Sequence, residues 1–178
     1  MNYNRVSHNL DAIRTSDGQT IAANIKTPPS TYGVSLVNAV TYVFPFGASV
    51  LNNTVPNQTH VMTAQLRWDN AIAFTATIEE SCFPATDPSD MATGVADVTD
   101  HDTTLGNWIP IKPPDADVQV TGGGTYTAAT GVIAVAAGQQ GGCTINLSLW
   151  GARRGRIKIV VGATGGLARC AVHGKAAA

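Results

Sequence analysis

The chain has 178 residues, which is the length of one domain or of one domain with an arm. Only 13% of the residues are charged and the net charge is −1, which argues against a general attraction to nucleic acid or to acidic membranes. With 18 glycines, 9 prolines and 44% hydrophobic residues, the composition excludes a helical bundle and favours a collapsed chain over a disordered one.

The N-terminal residues 1–31 are polar, show little periodicity and end in the run Thr27-Pro28-Pro29-Ser30. Two consecutive prolines favour an extended backbone, so we predict an extended N-terminal arm that gains order by lying on a neighbouring subunit. Pro28 and Pro29 are therefore candidate interface residues. The first twenty residues contain no apolar stretch typical of a secretion signal, and no run long enough for a membrane span follows, so we expect synthesis in the cytoplasm.

The segment from Val34 to Phe44 is apolar on both faces. This pattern predicts one strand that is covered on both sides or lies at a subunit contact. Pro45 and Gly47 are expected to end it.

Two alternating runs follow, His60–Trp68 and Ala71–Glu79, each with one apolar face. Between them stands the pair Asp69-Asn70. A two-residue connection of this type between alternating runs predicts a tight β-hairpin.

Residues 82–117 form a long polar segment that is rich in proline and aspartate. Asp97, Asp100 and Asp102 could supply hard oxygen ligands for a structural Ca²⁺ ion. The alternative is that these side chains accept hydrogen bonds from local backbone amides in Asx turns. Trp108 and Ile109 are expected to anchor the segment.

The last third returns to short strands separated by glycine turns. The predicted strands are Asp117–Thr121, Gly131–Ala137, Cys143–Trp150, Gly155–Val161 and Leu167–His173. Short strands with regular glycine turns predict an all-β fold, an antiparallel β-sandwich or jelly-roll-like domain over residues 32–178.

Four basic residues cluster in this region: Arg153, Arg154, Arg156 and Lys158. A nucleic-acid patch is one interpretation, but no aromatic residues are interleaved with the charges. We favour intersubunit ion pairs or a solvated strand edge, and name Arg153 and Arg154 as interface candidates. Trp150 is out of register with the apolar face of its strand, so it is a third interface candidate.

No catalytic motif is visible. The four histidines are scattered, no Gly-x-Ser-x-Gly nucleophile turn occurs, and three widely spaced cysteines form neither a zinc motif nor a disulfide framework. We expect reduced, buried thiols, no catalytic residues and no cofactor apart from the candidate Ca²⁺.

Three stretches, 65–74, 97–108 and 153–161, together with the low charge and the polar arm, give the chain the character of a known class. The chain resembles small all-β virion proteins of tailed bacteriophages, which include capsid decoration (cement) proteins and tail-associated proteins. The resemblance implies a homo-oligomer, commonly a trimer, that binds the major capsid protein or another virion protein. Its alternative implication is a tail or fibre domain that recognises a host surface glycan, for which Trp108 and the loop aspartates would be the exposed groups.

Overall fold

The computed structural model describes residues 5–24, 32–47, 61–81, 108–147 and 154–175. Within these ranges the chain forms β-strands and one short 3-10 helix, Asp115–Asp117. The strands are β1 (Arg5–Leu10), β2 (Ala12–Arg14), β3 (Thr20–Ile21), β4 (Val34–Leu36), β5 (Thr41–Gly47), β6 (Val61–Trp68), β7 (Phe74–Ser81), β8 (Ile109–Ile111), β9 (Val118–Thr121), β10 (Gly124–Thr127), β11 (Val132–Val135), β12 (Gly141–Leu147), β13 (Arg154–Val161) and β14 (Gly166–Lys175).

The strands form two antiparallel sheets. Sheet 1 has the order β1-β14-β6-β12-β9, and β4 also pairs with β14. Sheet 2 has the order β10-β11-β7-β13-β5-β2-β3, and β8 also pairs with β7. The sheets pack face to face, which confirms the predicted all-β antiparallel sandwich.

The core lies between the two inner faces and follows the alternation in the sequence. Sheet 1 contributes alternate residues such as Leu66 and Ile145, and sheet 2 contributes residues such as Phe74 and Ile159. Each of these side chains is almost fully buried, and burial of one such side chain stabilises the fold by about 1.5–3 kcal/mol. Trp68 also points inward, as its register predicted, and its ring meets that of Phe74 edge to face at 5.7 Å.

The predicted hairpin around Asp69-Asn70 is wrong. Strand β6 belongs to sheet 1 and β7 to sheet 2, so the connection crosses the sandwich instead of pairing the two strands. The Asp69 carboxylate holds this crossing: Oδ1 accepts hydrogen bonds from the amides of Ala71 (3.0 Å) and Ile72 (3.2 Å), and Oδ2 from that of Leu167 (2.9 Å). A hairpin and a crossing both turn one apolar face of each strand inward, so alternation alone cannot distinguish them.

The single strand predicted over Val34–Phe44 is also wrong. The chain forms β4 in sheet 1, turns at Asn38-Ala39, and enters sheet 2 as β5. Ala39 adopts a positive φ of 58° in this turn. Pro45 does not end β5, which continues to Gly47. Pro45 lies opposite Arg156 of β13 on one side, and the pairs with β2 on the other side stop at Val43, so the missing proline N–H breaks no pairing with β2.

The N-terminal segment differs from the predicted arm. Strand β1 pairs with β14 in sheet 1, while β2 pairs with β5 in sheet 2 and is followed by a turn at residues 15–17 that leads into β3. Leu10 and Ala12 lie in the core, and the Asp11 carboxylate between them accepts a hydrogen bond from the Ala23 amide at 2.8 Å. This part of the chain therefore belongs to the sandwich. Although its composition is polar, it carries two apolar side chains, and their burial in the core of the same chain is favourable.

Candidate functional site

Most of the residues predicted to form sites lie outside the described ranges. These are the candidate Ca²⁺ ligands Asp97, Asp100 and Asp102 and the interface candidates Pro28, Pro29, Trp150 and Arg153. Arg154 begins β13, but its side chain is not among those described. Within the described ranges, no group of three or more His, Cys, Asp or Glu side chains could hold a metal ion.

The outer face of sheet 2 carries a row of small, uncharged side chains in register across five strands. Its members are Thr125 of β10, Ala134 of β11, Thr75 of β7, Val160 of β13 and Thr41 of β5, each directly opposite the next. We call these five residues the uncharged row. Four are exposed and Thr41 is half-buried, and Val160 keeps 43% of its surface accessible.

Four residues away along β13, the same outer face holds a buried ion pair. Arg156 lies directly opposite Glu79 of β7, and its Nε donates a hydrogen bond of 2.6 Å to Glu79 Oε2, while its Nη2 also contacts that oxygen. Lys158 Nζ lies 3.5 Å from Glu79 Oε1, and the Trp108 ring covers the guanidinium at 4.2 Å from its centroid. Arg156 is fully buried, so the prediction that this basic residue lies at a solvated edge or in an intersubunit ion pair is wrong.

The two residues expected to anchor the long polar segment behave differently. Trp108 does contact sheet 2 through its cation–π interaction with Arg156. Ile109 follows in β8, where its backbone pairs with Glu80 of β7, but its side chain remains 62% exposed.

The outer face of sheet 1 has a different chemistry. Three adjoining rows run across it: Arg169, Arg67, Gly142 and Thr121; Ala171, Gln65, Thr144 and Gln119; His173, Thr63 and Asn146. None of the residues in these rows carries a carboxylate. The face is therefore polar and cationic, with amides and hydroxyls between its basic groups.

Over this face lies an open depression of about 650 Å³, lined by Gln65, Gln119, Thr121, Gln140 and Thr144 among others. A second depression of about 300 Å³ continues from it and reaches Tyr32 and Arg169. Arg67, Trp68 and Gln140 line both. Neither depression could be predicted from the sequence, since the lining residues come from strands far apart in the chain.

The two described thiols offer no reactive group on these faces. Cys143 and Cys170 are free and buried, as predicted, whereas Cys82 lies outside the described ranges. Burial raises the pKa of Cys143 to about 12 and raises the pKa of Cys170 well above its usual value. Both are therefore neutral at physiological pH, and a neutral thiol is a poor nucleophile.

Within the described ranges, no helix is long and apolar enough to cross a lipid bilayer. No protein-family model matches the chain, and a search of curated proteins finds no relative.

Proposed function

We propose that the protein is a non-enzymatic structural component of a virus particle, which decorates the assembled shell and stabilises it through subunit contacts. In this proposal the chain is made in the host cytoplasm, forms a homo-oligomer, most simply a trimer, and binds the major capsid protein or another virion protein. Its action is mechanical, so it requires no cofactor; a Ca²⁺ ion at Asp97, Asp100 and Asp102 would serve stability alone.

The uncharged row on sheet 2 is the observation that carries the proposal. Charged groups are depleted at the centres of protein interfaces, because burial of a charge costs more than burial of a small neutral side chain. The five side chains of the row are short and in register, so they offer a neighbouring subunit a flat surface without charges to desolvate. We assign this row to contact between copies of the chain.

A pair of exposed valines allows a matched test of that contact. Val160 lies in the uncharged row, whereas Val37 lies beside the turn between β4 and β5 and is 52% exposed. We expect Val160→Lys to shift the full-length chain from oligomer to monomer in sedimentation velocity, while Val37→Lys leaves the oligomer intact. If the wild type and both variants sediment as the same oligomer, the uncharged row does not lie in the interface. If the wild type sediments as a monomer, the chain does not self-assemble.

A second experiment tests the role on the particle. Particles that lack the protein should rupture at a lower temperature than complete particles and should adsorb to host cells equally well. Added wild-type protein should restore the rupture temperature, and Val160→Lys should restore it poorly. Loss of adsorption with unchanged rupture would reject the shell-stabilising role in favour of a tail or fibre domain that recognises a host surface glycan.

A further inference from the structure

Two arginines face each other on the outer surface of sheet 1. Arg67 of β6 and Arg169 of β14 are directly opposite, an arrangement in which like charges destabilise a sheet. Arg169 is held in place, since its Nε donates to Asn9 Oδ1 at 2.8 Å and its guanidinium lies 5.6 Å from the centre of the Tyr32 ring. Within the described residues, neither arginine forms an ion pair with a carboxylate.

The smaller depression, which Arg67 and Arg169 both line, is also lined by one carboxylate, that of Asp69. Both oxygens of this carboxylate already accept hydrogen bonds. Asp69 accepts three backbone hydrogen bonds, from Ala71, Ile72 and Leu167, which hold the crossing between the sheets. These bonds fix the carboxylate at the crossing. Among the described residues, the two guanidinium groups therefore have no carboxylate partner, and a bound anion would relieve their mutual repulsion.

Uncharged polar side chains continue from the arginine pair. Gln65, Gln119 and Thr144 occupy one row, directly beside the row of Arg67, and all three line the larger depression. Gly142 lies directly opposite Arg67 and carries no side chain, and both residues line the larger depression. Amides and hydroxyls at adjoining positions can each donate and accept, which suits the hydroxyl groups of a sugar.

We propose that the outer face of sheet 1 binds an acidic saccharide. Its carboxylate lies between Arg67 and Arg169, and its ring hydroxyls bond to the amide and hydroxyl side chains of the neighbouring row. This site lies on the face opposite the uncharged row, so it adds to the proposed shell role and does not depend on it.

A nucleic acid fits this face less well. The rows hold two arginines side by side, which suit one anionic group, whereas a nucleic acid presents a phosphate at every nucleotide. Single-stranded nucleic acids also stack their bases on exposed aromatic rings. Of the aromatic side chains that line the two depressions, Trp68 is only 4% exposed and Tyr32 lies against Arg169.

The test compares two sugars that differ in one group. Methyl β-D-glucuronide carries a carboxylate where methyl β-D-glucoside carries a hydroxymethyl group. We expect the full-length protein to bind the glucuronide at least tenfold more tightly in calorimetry or NMR titration, with a preference that shrinks as salt is raised. Arg67→Gln should abolish the preference. The matched control is Arg14→Gln, on sheet 2, where Arg14 pairs with Asp17 and should not matter to the sugar.

Each other outcome overturns a stated part of the proposal. Equal affinity for the two sugars, or a preference that survives Arg67→Gln, would remove the arginine pair from the site. Acetate or inorganic phosphate binding as tightly as the glucuronide would show a simple anion site without sugar recognition. A short single-stranded DNA that binds more tightly than the glucuronide and competes with it would assign the face to nucleic acid. Because Arg67 is exposed, its replacement should leave the fold intact, which a melting curve checks.

Discussion

The outer faces of the two sheets differ in charge and in what their side chains can bind. The outer face of sheet 2 carries the uncharged row and buries Arg156 and Glu79 as an ion pair, with Lys158 partly exposed beside them. The outer face of sheet 1 leaves Arg67 exposed and surrounds it with amides and hydroxyls. The inner faces, by contrast, carry the same kind of apolar side chain in both sheets. Inward positions maintain the sandwich, so outward positions are free to differ, and we propose subunit contact for the face of sheet 2 and an anionic ligand for the face of sheet 1.

The largest effect on stability is expected from breaking the buried ion pair on sheet 2. Arg156→Ala leaves the Glu79 carboxylate buried without its main partner and removes the group on which Trp108 stacks. Loss of one member of a buried pair costs about 3–5 kcal/mol when the remaining charge has no partner. Lys158 Nζ, 3.5 Å from Glu79 Oε1, keeps the expected loss near the lower end of this range. Urea denaturation of the wild type and variant would measure this fall in the free energy of unfolding.

A double variant separates the charge from the packing. Arg156→Met with Glu79→Leu removes both charges and keeps most of the volume, so it should be considerably more stable than Arg156→Ala. If Arg156→Ala has the same urea midpoint as the wild type, the ion pair is not buried in solution. The outer face of sheet 2 would then not differ from that of sheet 1 in burying its charged groups.

An intermediate effect is expected one residue away, on the inward face of the same strand. A Cβ at Gly155 would lie 2.3 Å from a ring carbon of Phe46, so Gly155→Ala must displace a fully buried aromatic ring. Overpacking of this kind costs about 1–3 kcal/mol. Gly162→Ala is the matched control in the turn after β13, since its Cβ would approach no atom closer than 3.3 Å. Equal urea midpoints for the two variants would contradict the close packing of Phe46 on Gly155.

The smallest effect has the opposite sign and concerns sheet 1. Without ligand, Arg67→Gln should raise the free energy of unfolding by roughly 0.5 kcal/mol, because it removes the repulsion from Arg169. The gain should disappear near 1 M salt, where such exposed charges are screened. Arg14→Gln should change stability in the other direction, since it breaks an attractive contact with Asp17. Denaturation curves at low and high salt measure both, and a loss of stability in Arg67→Gln would show that Arg67 makes a favourable contact instead.

The inward face of each long strand could be predicted from local alternation. Ala64 and Leu66 on β6, Phe74 and Ile78 on β7, and Ile157 on β13 are all buried as their register indicates. The period of two that places successive side chains on opposite faces is a property of the backbone itself, so it is visible in any short window of sequence. The all-β class followed from it, together with the glycine turns.

The partner of each strand could not be predicted in the same way. The alternation on either side of Asp69-Asn70 suits a hairpin and a crossing between sheets equally. The strand pairings show that a crossing forms, and the bond from the Leu167 amide to Asp69 helps to hold it. That bond joins residues far apart in the chain. The polar composition of residues 1–31 likewise concealed the ladder that β1 forms with β14.

The candidate sites depended on tertiary structure for the same reason. The basic cluster around Arg156 predicts a solvated edge when only the local sequence is considered. Its partner Glu79 is 77 residues away in sequence, and only the fold brings the two together. Arg67 is one outward residue among several until β14 brings Arg169 beside it. By itself the sequence determined which side of each strand faces the core, because that is settled by the backbone within a few residues. Which outward side chains meet was decided only by the tertiary structure, because strand register depends on the packing of the whole sandwich.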